Sequence, residues 1–127
     1  MMNYSRELLI GRWYRKDRDE QGHQLVEYAE LTADGSFEFT FVFYNEQGDI
    51  TSQVIELGDW GLVGDIHFTT TKNEVIDQEV YATDLNNADN YHAYKVLQLS
   101  HQTFQYQHIV TNDIFTMHRV TDNVGHC

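Results

Sequence analysis

Ser36-Phe37-Glu38-Phe39-Thr40-Phe41-Val42-Phe43-Tyr44 places phenylalanine at every second position four times in succession. A strand sends alternate side chains to opposite faces, so Phe37, Phe39, Phe41 and Phe43 form one aromatic stripe. The opposite face carries Glu38, Thr40, Val42 and Tyr44 and is wetter. Burying all four rings would contribute roughly 6–12 kcal/mol at about 1.5–3 kcal/mol each. The stripe therefore belongs on the dry face of a β-structure.

Outward from this stretch the chain reads as strand, turn, strand. Ala33-Asp34-Gly35 precedes the stripe and Asn45-Glu46-Gln47-Gly48 follows it, and both are turn signals. Strands are predicted over 12–15, 24–31, 36–44, 49–57, 60–63, 66–71, 91–99, 103–109 and 114–120, with a weaker one over 79–83. Ser5 can cap a short helical turn that includes Arg6 to Leu9. The stretch 72–90 is the least regular, and 84–90 reads as a polar loop. No proline interrupts any strand. The prediction is an all-β, up-and-down antiparallel meander of about eight to ten strands, closed into a barrel to remove its edges, with an open sandwich as the alternative. One domain covers 1–127, its core spanning about 8–120 and a flexible tail 121–127.

Two Gly-x-Trp units stand at Gly11-Arg12-Trp13 and Gly58-Asp59-Trp60. Glycine permits a close approach where a strand enters a barrel, and tryptophan fills the space beside it. Reading Asn112-Asp113 as a two-residue turn sets Tyr106 opposite Arg119 and His108 opposite Met117, all on one face.

The ordered phrases LLIGRWY (8–14), ELTADGSFEF (30–39), GDWGLVGDIHF (58–68) and FTMHRV (115–120) resemble the small bacterial lipocalin-like domains of the calycin superfamily. The resemblance covers about Leu8 to Val120. It implies that Trp13 packs at the closed end of the barrel beneath Arg119, a cation–π contact worth about 1–2 kcal/mol when desolvated. Both are fold-closing residues in that plan. The chain is shorter than lipocalins proper and lacks their disulfide, which implies a smaller interior.

Composition narrows the function classes. The net charge is −12, from 20 acidic and 8 basic residues. The basic residues are scattered apart from Arg12, Arg15, Lys16 and Arg18, so no nucleic-acid partner is expected. The single cysteine, Cys127, is the last residue and is read as a solvated bystander. No apolar run is long enough to span a membrane, and no leader is evident. A cytoplasmic location is expected, with a periplasmic chain trimmed of its leader as the alternative.

The seven histidines, His23, His67, His92, His101, His108, His118 and His126, show no ligand spacing, so no metal is expected. No nucleophile elbow or phosphate loop is present, and neither a catalytic residue nor a cofactor is assigned. Three readings remain. In the leading one the barrel binds a small apolar or amphipathic ligand among Phe39, Phe41, Phe43, Tyr106, His108 and Met117. In the second the rings, with Trp60, Leu62, Ile66 and Phe68, fill the barrel, and the acidic surface meets a basic protein partner. In the third a small enzyme uses Tyr106, His108 and Arg119 as a polar cluster. Oligomeric state is not encoded.

Overall fold

Three consecutive turns share one construction. Asp19-Glu20-Gln21-Gly22-His23, Thr32-Ala33-Asp34-Gly35-Ser36 and Asn45-Glu46-Gln47-Gly48-Asp49 each close with a hydrogen bond from the first N–H to the fifth carbonyl. In each, the fourth residue donates back to the first carbonyl. That fourth residue is a glycine at φ +88°, +90° and +86°, the left-handed position that three-residue hairpin loops require. The local sequence thus sets three hairpins in series.

The computed structural model describes residues 3–121. Its elements are a helical turn α1 (Arg6–Leu9) and nine strands: β1 (Gly11–Arg18), β2 (Gln24–Leu31), β3 (Ser36–Tyr44), β4 (Ile50–Val63), β5 (Ile66–Ile76), β6 (Glu79–Ala82), β7 (Tyr91–Leu99), β8 (Thr103–His108) and β9 (Ile114–Arg119). A 3-10 turn, Ala88–Asn90, leads into β7. The sheet order is β4-β3-β2-β1-β9-β8-β7-β5-β6, and β4 also pairs with β5. Eight antiparallel strands therefore close into a barrel. β6 hangs outside it, because β7 takes the first half of β5 (Ile66–Thr70) and β6 the second (Asn73–Ile76). No helix among the described residues is long and apolar enough to cross a membrane. The tail expected over 121–127 lies, from residue 122 on, outside the described residues, as do His126 and Cys127.

Several sequence expectations change. The separate strands 49–57 and 60–63 are one strand, β4, which continues through a register shift between Leu57 and Gly58. Gly58 bends the strand without ending it. A Cβ there would collide with the Thr70 carbonyl and lie 2.8 Å from the Phe37 ring. Ser5 occupies the N-cap position of α1, but its hydroxyl bonds the Glu7 carboxylate at 2.7 Å instead of a backbone N–H. The last hairpin is not a two-residue turn. Tyr106 pairs with Phe115 and Phe104 with Met117, so the connection runs from Ile109 to Asp113. The slip is by an even number of residues, so the predicted faces survive while the predicted partners do not.

The aromatic stripe is only partly dry. Phe37 is buried and stacks on Phe39 with centroids 4.0 Å apart, and Phe39 and Phe41 are half-buried inside the barrel. Phe43 lies at the rim beside the Asn45–Asp49 turn and is 38% exposed. Val42, on the supposedly wetter face, is buried opposite Val26. Phe68 is 41% exposed on the outer face, where its ring covers Gly61, and does not fill the interior. Register causes this: Trp60 and Leu62 pack into the core and pair with Thr69 and His67, which turns His67 and Thr69 inward and Phe68 outward.

One end of the barrel is shut by side chains. Trp13 is fully buried and donates Nε1–H to the Leu9 carbonyl at 2.9 Å. At 150–250 Å² of ring surface and about 25 cal/mol per Å², its burial contributes about 4–6 kcal/mol. The Arg119 guanidinium lies 3.9 Å over the Trp13 ring and donates to the carbonyls of Leu8, Ile10 (2.7 Å) and His101 (2.9 Å). The Leu8 and Ile10 carbonyls are ones that the end of a helical turn leaves without partners, while His101 belongs to the β7–β8 turn. Gly11, at φ +131°, makes room, since a Cβ there would strike Arg119. The second Gly-x-Trp unit repeats the arrangement. Trp60 Nε1–H donates to Thr32, and Arg6 sits 4.5 Å over the ring while donating to Ala33.

Removing this clamp has a defined cost. Arg119→Met takes the charged donor from two part-buried carbonyls and one exposed carbonyl and uncovers the Trp13 ring, and should lower unfolding free energy by about 2–4 kcal/mol in urea denaturation. Arg119→Lys should recover less than half of that, because an ammonium cannot fork across the carbonyls or stack on the indole.

Candidate functional site

Above the clamped end the barrel is neither filled nor roomy. A cavity of about 190 Å³ remains. Its floor is Trp13, Ala29, Leu31, Phe104 and Met117. Phe39, Phe41, Tyr106, Tyr94 and Phe115 wall it with rings. For scale, an enclosed apolar space of about 150 Å³ holds one benzene.

The remaining lining is polar: Arg15, Glu27, Glu56, His67, Thr69, Thr71 and His92. Alternation along β1 and β2 explains two of these. Once Trp13 points inward, Arg15 does as well, and Glu27 shares its face with Ala29 and Leu31. Arg15 and Glu27 are register partners, and Arg15 Nε donates to Glu27 at 2.6 Å. Arg15 also reaches Asp17 at 3.3 Å and lies 5.0 Å over the Phe115 ring. On β4, Glu56 accepts from the Thr71 hydroxyl at 3.1 Å.

Burial governs the electrostatics. It pushes the Glu27 carboxyl above its ordinary range even though Arg15 pulls it down. Burial also pushes Glu56 up, with the Thr71 hydroxyl opposing and the charge of Glu74 adding. The Tyr94 and Tyr106 phenols are pushed up by burial and by the nearby Glu27 charge, so both keep their protons. His67 is 3% exposed, and burial pushes its imidazole down to about 4. Its Nδ1 lies 3.2 Å from the Gly61 carbonyl, which can only accept, so Nδ1 carries the hydrogen. Nε2 is left as a lone-pair acceptor.

Of the residues singled out from sequence, Phe39, Phe41, Tyr106 and Met117 line the cavity. Phe43 does not; it borders a separate rim hollow with Leu25, Tyr44 and Thr51. His108 also stands outside the lining. Its Nδ1 accepts from the backbone N–H groups of Val110 (3.1 Å) and Thr111 (3.3 Å). Its Nε2 therefore carries the hydrogen and donates to His92 Nδ1, 3.1 Å away. His108 thus links the β8–β9 turn to the upper wall.

Trp13 forms the floor and Arg119 lies on its ring at the closed end. The trio Tyr106, His108 and Arg119 is not brought together. Arg119 is engaged with Leu8, Ile10 and His101 at the closed end, while His108 sits at the open end. Among the described residues no three His, Cys, Asp or Glu side chains converge as a metal site.

Sequence reasoning passed over Arg15, Glu27, Glu56, His67, Tyr94 and Phe115. A signal existed for the first two. A charge in phase with Trp13, and another in phase with Ala29 and Leu31, mark polar groups at inward positions. Nothing comparable marked His67, because apolar Ile66 and Phe68 flank it and suggest the opposite face.

No family model matches this sequence, and no curated protein matches it. By structure, the chain is similar to a lipocalin-like protein from Bacteroides uniformis, with a TM-score of 0.51 and 15% sequence identity over 89% of this chain and 99% of that one. At that identity the likeness speaks for the barrel alone, and the barrel is lipocalin-like.

His67 ties this interior to stability. The unfolded imidazole titrates near 6.5 and the folded one near 4, so between those values only the unfolded chain takes up the proton. Stability from this group is complete above about pH 6.5 and is lost as pH falls toward 4. At about 1.4 kcal/mol per pH unit the loss reaches roughly 3 kcal/mol. Glu27 and Glu56, pushed up, act in the opposite sense and are present in any comparison of variants. Urea denaturation of wild type and His67→Phe at pH 7 and pH 4.5 should show the variant gaining about 2–3 kcal/mol relative to wild type at the lower pH.

Proposed function

We propose that this lipocalin-like barrel is a binding module that holds one small amphipathic molecule in its interior, with a body the size of a single aromatic ring and a short polar arm. The observation that carries the reading is the cavity itself: about 190 Å³ left open above a floor that Trp13 and Arg119 shut. Rings and hydrogen-bonding groups share its lining, the usual make-up of a small-molecule site. Tyr106 adds to it. The residue is 7% exposed, and its hydroxyl makes no hydrogen bond to the described residues, although the oxygen itself is open to water. A guest with a polar arm can take the place of the water that otherwise meets this phenol.

The size limits the guest. An extended lipid tail needs far more space than one that exceeds a benzene-sized cavity by a few atoms. The apolar part packs against Phe39 and Phe41, and the polar arm turns toward Glu27, Glu56 and Tyr106.

Titration with 2-phenylethanol and other single-ring probes bearing a two-carbon arm tests this, followed by NMR shifts of the interior residues. Saturable binding is expected, roughly millimolar or tighter for so few atoms. Ala29→Met, which fills the floor, should weaken it at least about tenfold while leaving the chain folded. If no such probe saturates, or if Ala29→Met leaves the affinity unchanged, the reading is wrong.

A further inference from the structure

The polar groups facing the cavity form an unbalanced set. Arg15 is the only lysine or arginine in the lining, and it is committed to Glu27 and Asp17 at 2.6 and 3.3 Å. Glu56 has no cation of its own and is held by the Thr71 hydroxyl alone among the described residues. In the lining Arg15 is set against Glu27 and Glu56, so carboxyl groups outnumber cations two to one at this site.

Hydrogen-bonding capacity leans the same way. His67 spends its N–H on the Gly61 carbonyl and turns a bare Nε2 acceptor to the interior. Each carboxylate retains acceptor capacity beyond its one bond. The unpartnered Tyr106 hydroxyl, on a residue 7% exposed, can accept as well. What the site lacks is a second cationic donor, one not already committed as Arg15 is.

We infer that the guest is a small organic ammonium: a primary amine on a single aromatic or similarly compact apolar body, its charged group at Glu56 and its body against Phe39 and Phe41. This rests on the ligand-binding reading above. A carboxylate guest would add a further negative charge to a buried site already in surplus, with Arg15 engaged elsewhere. An ammonium makes charge-assisted bonds to the free carboxylate oxygen and meets the faces of the surrounding rings. The net charge of −12 also attracts cations to the molecule as a whole.

Calorimetric titration of the whole chain at pH 7.5 with three probes of one shape separates the two claims: 2-phenylethylamine, 2-phenylethanol and phenylacetate. The amine should bind roughly tenfold or more tightly than the alcohol, with phenylacetate weakest. In Glu56→Gln, which keeps the shape, the amine should lose about tenfold and the alcohol should stay within about twofold.

If the alcohol binds as tightly as the amine, the ammonium assignment fails and the binding module stands. If no probe saturates, both fail. A Glu56→Gln variant that weakens amine and alcohol alike, or that keeps the full amine preference, overturns the pairing with Glu56. The ratio between probes in the unaltered protein depends on no variant, so the ammonium assignment is tested whether or not Glu56→Gln folds.

Discussion

Everything in this barrel hangs from the Arg119 guanidinium. Between β1 and β9 the ladder pairs only Trp13 with Arg119 and Tyr14 with His118. A seam that short is weak as backbone alone, and side chains make up the difference. Arg119 joins the last strand to the turn at His101, to the carbonyls of Leu8 and Ile10, and to the face of Trp13. One side chain thereby ties the final strand to the first and both to the helical turn, across more than a hundred residues. Gly11 is glycine because the guanidinium occupies the place of its side chain. Arg6 over Trp60 repeats the device on the opposite wall and holds the β2–β3 turn. With both in place the barrel has a floor, and a floor is what turns an eight-stranded closure into a container.

The upper interior follows a different logic. Eight strands enclose a space that side chains can just fill, and Phe37, Trp60, Phe104 and Met117 do fill the lower part. Above them stand an ion pair, a second carboxylate, a neutral histidine and two phenols, where leucine and valine would pack more simply. Burying an ion pair seldom adds stability over an apolar replacement of the same volume. Glu27 and Glu56 pushed up and His67 pushed down express the same desolvation, felt by groups of opposite charge type. Departures from the best-packed core cluster where a protein does something with its interior.

Much of the architecture was legible residue by residue. The hairpins at 19–23, 32–36 and 45–49 carry their glycines in sequence, and the strands between them alternate visibly. Trp13 and Arg119 were readable through the resemblance they support. The candidate site was legible only in part. Phe39, Phe41, Tyr106 and Met117 border the cavity, while Phe43 stops at the rim and His108 serves the turn above. The mixed character of the wall was missed because it depends on β5, whose apolar residue Phe68 faces out over Gly61 and whose His67 and Thr69 face in. Hydrophobic alternation suggests the reverse.

By itself, then, the sequence determined the strands, the turn chemistry, an all-β barrel and the two tryptophans that plug its end. These are properties of neighbours along the chain: side-chain period, glycine conformation and local hydrogen bonds. Only the tertiary structure decided which face of β5 points inward, that 50–63 is a single bent strand, that Tyr106 meets Phe115 instead of Arg119, and how much space remains. Those outcomes depend on register between strands distant in sequence. A two-fold side-chain period is unchanged by a slip of two or four residues, so no local pattern distinguishes them.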